Sequence, residues 1–428
     1  MTQVREINTK FAPALHSLCI DELAMKNHVL SAFRSIQSWA LALALFATIQ
    51  TVPNFVHADG ASCIAALEQI NVLNFWTTPD PAGHKPFIDA ILDPKTTLIE
   101  LSMFHLTDPA VVQAFETRAA QGNFTARIIL DRSNLRDDST LQIALGLQKL
   151  PGVSVVASNA AFSLTHTKYM RVNGVISFVT TINLTTNLTA QRDWGMTTDN
   201  VNVGKEIDAV FANDYALGDS DLAKVAQEEK NKDPGQKNVP PDPKLTPPLS
   251  MPNLLWSPTN STTKIVALID YADPGTELIS TVENIRNPDV QAAFLRAAAR
   301  GVKVRLIVPE VDQNPDPNFN LQAVWEMQNQ VVNGQNISVE VRLMPGPETT
   351  DTPYMHAKMI MATGKSGTLL AIMSENFSGN SLDFARELGI IFSNPNAIQM
   401  VQTAFERDWG VSVVPPPKPP PAPPKTGS

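Results

Sequence analysis

The residues best suited to chemistry form a short motif that occurs twice in the chain. The first copy contains His166 and Lys168, and the second contains His356 and Lys358. Residues two positions apart on a strand point to the same face of a sheet, so each copy presents an imidazole beside an ammonium group. One imidazole can attack phosphorus, the other can protonate a leaving alcohol, and the ammonium groups can neutralise phosphate oxygens. The motif therefore indicates phosphoryl chemistry, with each copy supplying half of one site.

Hydroxyl and amide side chains follow each copy after a gap of strand length. Thr181 and Asn183 follow the first motif, and Ser374 and Asn376 follow the second. Such groups donate hydrogen bonds to non-bridging phosphate oxygens. We expect these four residues to bind the phosphate of a substrate.

A carboxylate comes next in both halves of the chain, as Asp193 and Glu387. Each could accept a hydrogen bond from an imidazole Nδ1, which would fix the tautomer and leave Nε2 free to attack. The sequence also allows a simpler interpretation, in which each carboxylate forms an ion pair with its neighbour Arg192 or Arg386.

The two motifs lie in segments that resemble each other, and this repeat predicts the elements that position them. In both segments a strand is followed by a helix that begins at Asp108–Pro109 or Asn287–Pro288 and ends at Gly122 or Gly301. Asp or Asn as the N-cap, Pro at the first helical position and Gly at the end are typical of helix boundaries. A further strand follows each helix. This order predicts two α/β lobes, each with helices packed against a sheet.

Composition divides the chain into segments with different predicted roles. The apolar stretch Trp39–Ile49, followed by Val56 and Ala58, is typical of a secretory signal peptide, although a buried helix of the mature fold is an alternative. The signal predicts a secreted or periplasmic protein. The predicted segments are a signal peptide over 1–58 with a possible start at Met25, a first lobe over 59–227, a linker rich in proline and charge over 228–252, a second lobe over 253–412 and a proline-rich tail over 413–428.

The overall composition limits the class of protein. The chain has 428 residues, of which 43% are hydrophobic and 18% charged, as expected for a globular protein. Its net charge of −9 argues against binding nucleic acid over a broad basic surface. No apolar run reaches the length of about 18 residues that a conventional membrane-spanning helix needs. Histidines and cysteines do not occur at metal-ligand spacing, so no metal site is predicted. No other cofactor is predicted either.

At these residues the chain resembles the phospholipase D superfamily, whose signature is HxKx4D followed by a GSxxN-like element, twice per active site. The resemblance extends from about Asn71 to Trp409. The histidines, lysines and asparagines named above match the catalytic histidines, phosphate-binding lysines and phosphate-binding asparagines of the family. The resemblance implies an α/β fold of two lobes related by a pseudo-twofold axis, in which mixed sheets flanked by helices form an αβαβα sandwich. It also implies one site between the lobes, a phosphohistidine intermediate and no metal.

Two parts of the family signature are changed in this chain. Asn173 and Thr363 stand where the motif aspartate is expected, and Thr180 and Met373 replace the glycine of the GS element. In the family that aspartate supports the site and does not react. Its replacement leaves an impaired enzyme as one interpretation.

The resemblance and the export signal together predict a secreted phospholipase D-like phosphodiesterase. We expect it to hydrolyse phospholipid head groups, with possible transfer of the phosphatidyl group to an alcohol, as a monomer in transient contact with a membrane surface. His166 is the expected nucleophile and His356 the general acid and then base. A metal-independent nuclease is the first alternative, because Arg192 and Arg386 could join the motif lysines on a phosphate backbone. A catalytically impaired protein that binds phospholipid or phosphate is the second.

Overall fold

The computed structural model describes most of both predicted lobes. The predicted signal peptide, Cys19 and Cys63 lie outside the described residues. The same is true of the end of the proline-rich tail. The described residues are 64–80, 83–186, 190–233, 238–310, 319–328, 330–332, 335–337 and 339–419.

Each lobe alternates strands and helices before it ends in antiparallel strands and a helix. The first lobe contains β1 (Val72–Thr78), α1 (Lys85–Leu92), β2 (Leu98–Met103), α2 (Pro109–Ala120), β3 (Thr125–Leu130), α3 (Asp138–Gln148), β4 (Val153–Ala157), β5 (Lys168–Val172), β6 (Ile176–Thr180), β7 (Gln191–Thr198), α4 (Val201–Ala216) and α5 (Leu222–Lys230). The second lobe contains β8 (Leu254–Ser257), α6 (Ser261–Asp270), β9 (Glu277–Thr281), α7 (Pro288–Ala299), β10 (Lys303–Pro309), α8 (Phe319–Met327), β11 (Gln330–Val332), β12 (Gln335–Ile337), β13 (Glu340–Met344), β14 (Tyr354–Met355), β15 (Lys358–Gly364), β16 (Gly367–Met373), α9 (Gly379–Asp383), β17 (Glu387–Phe392) and α10 (Pro395–Val411). Short 3₁₀ helices cover Arg132–Arg136 and Pro243–Leu245.

The two sheets have the same strand order, which confirms the predicted duplication of an α/β fold. The first sheet runs β1-β7-β6-β5-β2-β3-β4, and the second, read in the same sense, runs β8-β17-β16-β15-β9-β10-β13. The pairs β2-β3, β3-β4, β9-β10 and β10-β13 are parallel, and the other pairs along both orders are antiparallel. Both sheets are therefore mixed. The motif strands β5 and β15 occupy the centre of each sheet.

The predicted helix boundaries agree with the structure at the caps. The Asp108 side chain accepts a hydrogen bond from Ala110 N, and the Asn287 side chain accepts hydrogen bonds from two backbone N–H groups of α7. Gly122 and Gly301 follow the two helices with φ angles of 73° and 90°. A residue with a Cβ is strained in this left-handed region, so glycine suits both positions.

Apolar residues of the described chain form three clusters that correspond to layers of a sandwich. One cluster lies between the first sheet and α1, α2 and α3, and another lies between the second sheet and the helices α6 and α7. The third cluster combines residues of both sheets with residues of α4 and α10, including Tyr169 and Trp256, whose rings are 6.1 Å apart. The order of layers is αβαβα, as predicted. Among the described residues, every helix is too short or too polar to span a lipid bilayer.

Two buried ion pairs connect the lobes symmetrically. Arg192 of the first lobe binds both carboxylate oxygens of Asp408 in the second lobe, at 2.7 and 2.8 Å. Arg386 of the second lobe binds Asp214 of the first, with Nε 3.0 Å from Oδ2. The arginines therefore do not pair with Asp193 or Glu387, and burial in these ion pairs removes them from any contact with a nucleic-acid backbone.

Parts of the predicted linker and of the proline-rich tail contact the folded lobes. Helix α5 continues through Lys230, and Glu229 of this helix binds Arg132 Nε at 2.5 Å. Met251 is 3% exposed and joins the central apolar cluster. In the tail, Trp325 Nε1 donates a hydrogen bond of 2.8 Å to Pro416 O. These contacts attach both ends of the second lobe to the folded body.

Candidate active site

The segments that precede the two motif strands cross to the opposite lobe. Strand β14 pairs in parallel with β7 of the first lobe, and Ala357 N donates to Arg192 O at 2.7 Å. In the same way, Thr165 forms a bridge with Arg386, and His166 N donates to Arg386 O at 2.9 Å. Both histidines therefore lie at the boundary between the lobes.

Each imidazole is hydrogen bonded to a carboxylate of the other lobe. His166 Nδ1 lies 2.8 Å from Glu387 Oε2, and His356 Nδ1 lies 2.8 Å from Asp193 Oδ1. All four residues are buried. The expected imidazole–carboxylate contact is thus present twice, and both copies need both lobes. The catalytic roles of these residues stay predictions.

The contacts of His166 determine its tautomer. Its Nδ1 lies 3.1 Å from the backbone oxygen of Ser374 as well as close to Glu387. A carbonyl oxygen can only accept, so Nδ1 carries the proton and Nε2 keeps its lone pair. Burial lowers the pKa of His166 well below its ordinary value, and the positive charges of Lys168 and Lys358 act in the same direction. His166 is therefore neutral at neutral pH, as a nitrogen nucleophile must be.

A second carboxyl group lies behind Glu387 and was not found by sequence reasoning. Burial and the nearby Glu375 raise the pKa of Glu387 well above its ordinary value, and Ser381 Oγ donates a hydrogen bond to it. Burial raises the pKa of Glu375 to about 7, and its Oε1 accepts a hydrogen bond of 2.7 Å from Ser261. The first lobe has Ile182 at the position of Glu375. An alignment of the two repeats would have shown this difference and pointed to Glu375.

The two motif lysines have different surroundings. Each donates a hydrogen bond to the backbone oxygen of the histidine two positions earlier. Lys168 Nζ also lies 5.1 Å from the centroid of the Phe104 ring, and burial together with the charge of Lys358 lowers the pKa of Lys168 to about 7. Lys358 Nζ instead forms an ion pair of 2.8 Å with Glu283 Oε2. Only the lysine of the second lobe has an ion-pair partner among the described residues.

Of the two asparagines, Asn376 shares a carboxylate partner with Lys358. Asn376 Nδ2 donates to Glu283 Oε2 at 3.0 Å. The Oδ1 atoms of Asn183 and Asn376 are buried without a hydrogen-bond partner among the described residues. His84 holds the backbone of Asn183, with Nε2 2.9 Å from its carbonyl oxygen and Nδ1 2.5 Å from Asp108 Oδ2. His84 is a positioning residue that the sequence did not reveal.

The two hydroxyl residues support the carboxylate strands. Thr181 Oγ donates to Asp193 Oδ1 and accepts a hydrogen bond of 2.9 Å from Trp194 N. Ser374 Oγ accepts a hydrogen bond of 3.1 Å from Leu388 N. Both side chains are buried. Contact between these hydroxyls and a phosphate stays a prediction, since the Thr181 hydroxyl proton is directed to Asp193 in this structure.

The positions of the family aspartate lie at the far ends of the motif strands. Asn173 follows β5 with φ of 53°, and its Oδ1 accepts hydrogen bonds of 2.8 and 3.0 Å from Thr97 N and Leu98 N. Thr363 Oγ is 3.0 Å from Thr368 Oγ. At about 3.3 Å per residue along a strand, Asn173 is well separated from the histidine of its own motif. Asn173 stabilises a turn, so the loss of aspartate leaves the paired side chains in place.

One position of the repeat that lies beside the motif residues is aromatic in the first lobe and acidic in the second. Phe104 and Glu283 both stand five residues before the proline that begins the next helix. The Phe104 ring is 4.5 Å from the His166 ring, edge to face, and His105 stacks on Phe104 at 4.9 Å. Phe104, His105 and Glu283 were not among the site residues predicted from the sequence. Aligning the repeats would have shown that the two copies differ at this position.

The fold and the site define a class of protein with two duplicated α/β lobes that share paired histidines, lysines and asparagines. The family model described as "Cardiolipin synthase, PLD-like domain" matches residues 88–215 and 265–409, which is more than half of the chain. The chain therefore belongs to this family of the phospholipase D superfamily and contains its phosphodiester-transfer domain. No curated protein matches the chain. The described residues contain no group of three or more histidine, cysteine or carboxylate side chains placed to hold a metal ion.

Two solved structures show the same fold at low sequence identity. Phosphatidylserine synthase from Haemophilus influenzae Rd KW20 is 12% identical with a TM-score of 0.58, over 83% of this chain and 92% of that chain. Polyphosphate kinase from Porphyromonas gingivalis is 14% identical with a TM-score of 0.53, over 78% of this chain. The match spans 49% of the kinase. Nuc from Salmonella typhimurium, a phospholipase D family member, is 17% identical with a TM-score of 0.31, over 35% of this chain and 97% of that chain.

Proposed function

We propose that this protein is a secreted phosphodiesterase that removes the head group from phospholipids, with transfer of the phosphatidyl group to an alcohol as a second outcome. The observation that supports the chemistry is the pair of hydrogen bonds between imidazoles and carboxylates of opposite lobes. This arrangement leaves Nε2 of a neutral His166 free to attack. It also gives His356 a carboxylate partner that stabilises an imidazolium, as a general acid requires.

The proposed reaction has two displacements at phosphorus. His166 Nε2 attacks phosphorus, the bond from phosphorus to the head-group oxygen breaks, and His356 Nε2–H gives its proton to that oxygen. In the second step His356 takes a proton from water, the water oxygen attacks phosphorus, and the P–N bond breaks so that its electron pair returns to His166. An alcohol in place of water gives the transferred product. Lys168 and Lys358 would stabilise the charge on the non-bridging oxygens in both steps.

Two features favour phospholipid over nucleic acid as the substrate. The net charge of −9 opposes binding to a long polyanion. Arg192 and Arg386, which could have joined the motif lysines on a nucleic-acid backbone, form ion pairs with Asp408 and Asp214. The export signal predicted at 1–58 supports action outside the cytoplasm and remains an expectation, since it lies outside the described residues.

A substrate panel in the presence of a chelator tests the proposal. The full chain is incubated with vesicles of phosphatidylcholine or phosphatidylethanolamine, with and without ethanol, and in parallel with single- and double-stranded DNA. We expect phosphatidic acid and free head group, and phosphatidylethanol when ethanol is present. Cleavage of DNA alone would support the nuclease, and no product from any substrate would support an impaired binding protein. Either result would contradict the proposal.

Substitution of the histidines tests the assigned roles. His166→Ala and His356→Ala should each lower kcat by at least about 10²- to 10⁴-fold, because a positioned nucleophile or acid–base group contributes that much. Intact-mass measurement of the rapidly quenched wild-type enzyme should show a phosphatidyl adduct that His166→Ala lacks. Activity within about tenfold of wild type in either variant would contradict the mechanism.

A further inference from the structure

In the second lobe, the side chains expected to bind phosphate already donate hydrogen bonds to a carboxylate. Glu283 Oε2 accepts hydrogen bonds from Lys358 Nζ at 2.8 Å and from Asn376 Nδ2 at 3.0 Å. Its other oxygen, Oε1, accepts a hydrogen bond of 2.9 Å from the Tyr354 hydroxyl. The backbone is fixed as well, since Asn320 Nδ2 donates to Glu283 O at 2.8 Å. One carboxylate oxygen thus makes the two contacts that a phosphate oxygen would make.

The first lobe has no such carboxylate at the equivalent position. Phe104 stands there, and Lys168 has no ion-pair partner among the described residues. Asn183 Oδ1 is buried without a hydrogen-bond partner among the described residues. The two halves of the phosphate pocket therefore differ. Lys168 has no ion-pair partner among the described residues and its pKa is lowered to about 7, whereas the carboxylate of Glu283 compensates the charge of Lys358.

The carboxylate of Glu283 keeps its negative charge over the working pH range. Burial opposes ionisation, but the charges of Lys358 and His356 and the hydrogen bonds from Lys358 and Asn376 hold the pKa of Glu283 below its ordinary value. The side chain is 12% exposed, so water screens this charge only weakly. Any ligand that enters the second half of the pocket meets a fixed negative charge beside its phosphate.

Lys358 nevertheless retains the capacity to bind a substrate. Its ammonium group has three N–H bonds, of which two are used by Glu283 and by the backbone oxygen of His356. A phosphate oxygen could therefore share Lys358 with Glu283. A phosphodiester carries one negative charge, whereas a phosphomonoester carries about 1.5 to 2 at pH 7 and inorganic phosphate becomes mostly a dianion at about pH 8. Repulsion by Glu283 would act more strongly on the doubly charged ligands.

We propose that Glu283 is a specificity-determining residue that admits phosphodiester monoanions to the shared pocket and excludes phosphate dianions. This inference rests on the proposed function, because it concerns the substrate and product of the same site. Phosphatidic acid, the product of head-group removal, is a phosphomonoester. Glu283 would consequently favour its release after the second displacement and limit inhibition by accumulated product.

Equilibrium binding tests this proposal without requiring turnover. Dissociation constants of the full chain are measured by titration calorimetry for inorganic phosphate and for dimethyl phosphate, at about pH 8, where the former is mostly a dianion. Glu283→Gln should bind phosphate at least about tenfold more tightly than wild type, with a change below about threefold for dimethyl phosphate. Glu116→Gln, an exposed site on α2, makes the same change in net charge and should alter neither constant.

The wild-type protein alone also gives a decisive comparison, in case Glu283→Gln does not fold. We expect dimethyl phosphate to bind wild type more tightly than inorganic phosphate at about pH 8, and the preference to shrink near pH 5, where phosphate is a monoanion. Tighter binding of the dianion by wild type, equal changes for both ligands in Glu283→Gln, or no binding of either ligand would overturn the proposal. Failure of the proposed function would instead appear as missing turnover of phospholipid, which these constants do not depend on.

Discussion

The two histidine–carboxylate pairs should respond unequally to neutral substitutions of the same shape, Glu387→Gln and Asp193→Asn. His166 must be neutral to attack, and its Nδ1–H retains the Ser374 carbonyl as an acceptor at 3.1 Å when the carboxyl group is replaced. Burial and Glu375 also raise the pKa of Glu387, so a neutral amide resembles its protonated form. The other pair works differently, because a general acid must be cationic and the Asp193 carboxylate provides its countercharge at 2.8 Å.

These contacts give an approximate magnitude for each variant. Glu387→Gln weakens one hydrogen bond, worth about 0.5–1.5 kcal/mol, which corresponds to a decrease in kcat between about twofold and about tenfold. Asp193→Asn removes the charge that stabilises the imidazolium, so it should lose most of the general-acid contribution, about 10²- to 10⁴-fold. The ratio of the two effects is therefore expected to exceed about tenfold.

Two substrates separate the step that fails in each variant. On phospholipid, where the leaving alcohol needs a proton, steady-state kcat should follow the order wild type, Glu387→Gln, Asp193→Asn. On bis(p-nitrophenyl) phosphate the leaving group departs without a proton, so Asp193→Asn should still release one equivalent of nitrophenolate in a burst and then turn over slowly. Circular dichroism checks that both variants fold. Equal losses in the two variants, or a larger loss in Glu387→Gln, would refute the division of roles between the histidines.

Two further predictions concern stability and pH. Asp408→Ala should lower the free energy of unfolding, measured by urea titration, by about 3–5 kcal/mol, because it leaves the buried Arg192 without its partner. The control Asp89→Asn, in an exposed ion pair, should lower it by less than about 1 kcal/mol. Similar losses in both variants would contradict the role of the buried pair. Affinity for dimethyl phosphate should decrease as pH rises through about 7, where Lys168 loses its proton. This decrease should be absent in Lys168→Arg, because the arginine keeps its charge. Parallel pH profiles for the two proteins would show that Lys168 is not the titrating group.

Local patterns were sufficient to predict the repeat, the helix boundaries and the residues of the two motifs. A cap such as Asp108 acts on the backbone only two residues away, so its role can be read from neighbouring positions. The same is true of the strand period that places a histidine and a lysine on one face. Features that depend on a few adjacent residues were therefore accessible from the sequence.

Contacts between the lobes were not accessible in this way. The hydrogen bond from His166 to Glu387 joins residues 221 positions apart, and that from His356 to Asp193 joins residues 163 positions apart. Each carboxylate lies much closer in sequence to the histidine of its own lobe, and nothing local indicates that the partners are exchanged. The exchange follows from β14 pairing with β7 and from the matching bridge at Thr165, which are properties of the assembled fold.

The differences between the repeats have a physical reason that the motifs themselves do not show. Two identical half-sites would give both histidines the same electrostatic surroundings, yet a nucleophile must be neutral when an acid must be charged. The motif residues are the same in both lobes, so the asymmetry has to come from their neighbours. Phe104 in the first lobe corresponds to Glu283 in the second, and Ile182 corresponds to Glu375. These differences place additional carboxyl groups in the second lobe alone. They leave Lys168 without an ion-pair partner among the described residues, so its ammonium form, present below about pH 7, is available to a phosphodiester anion.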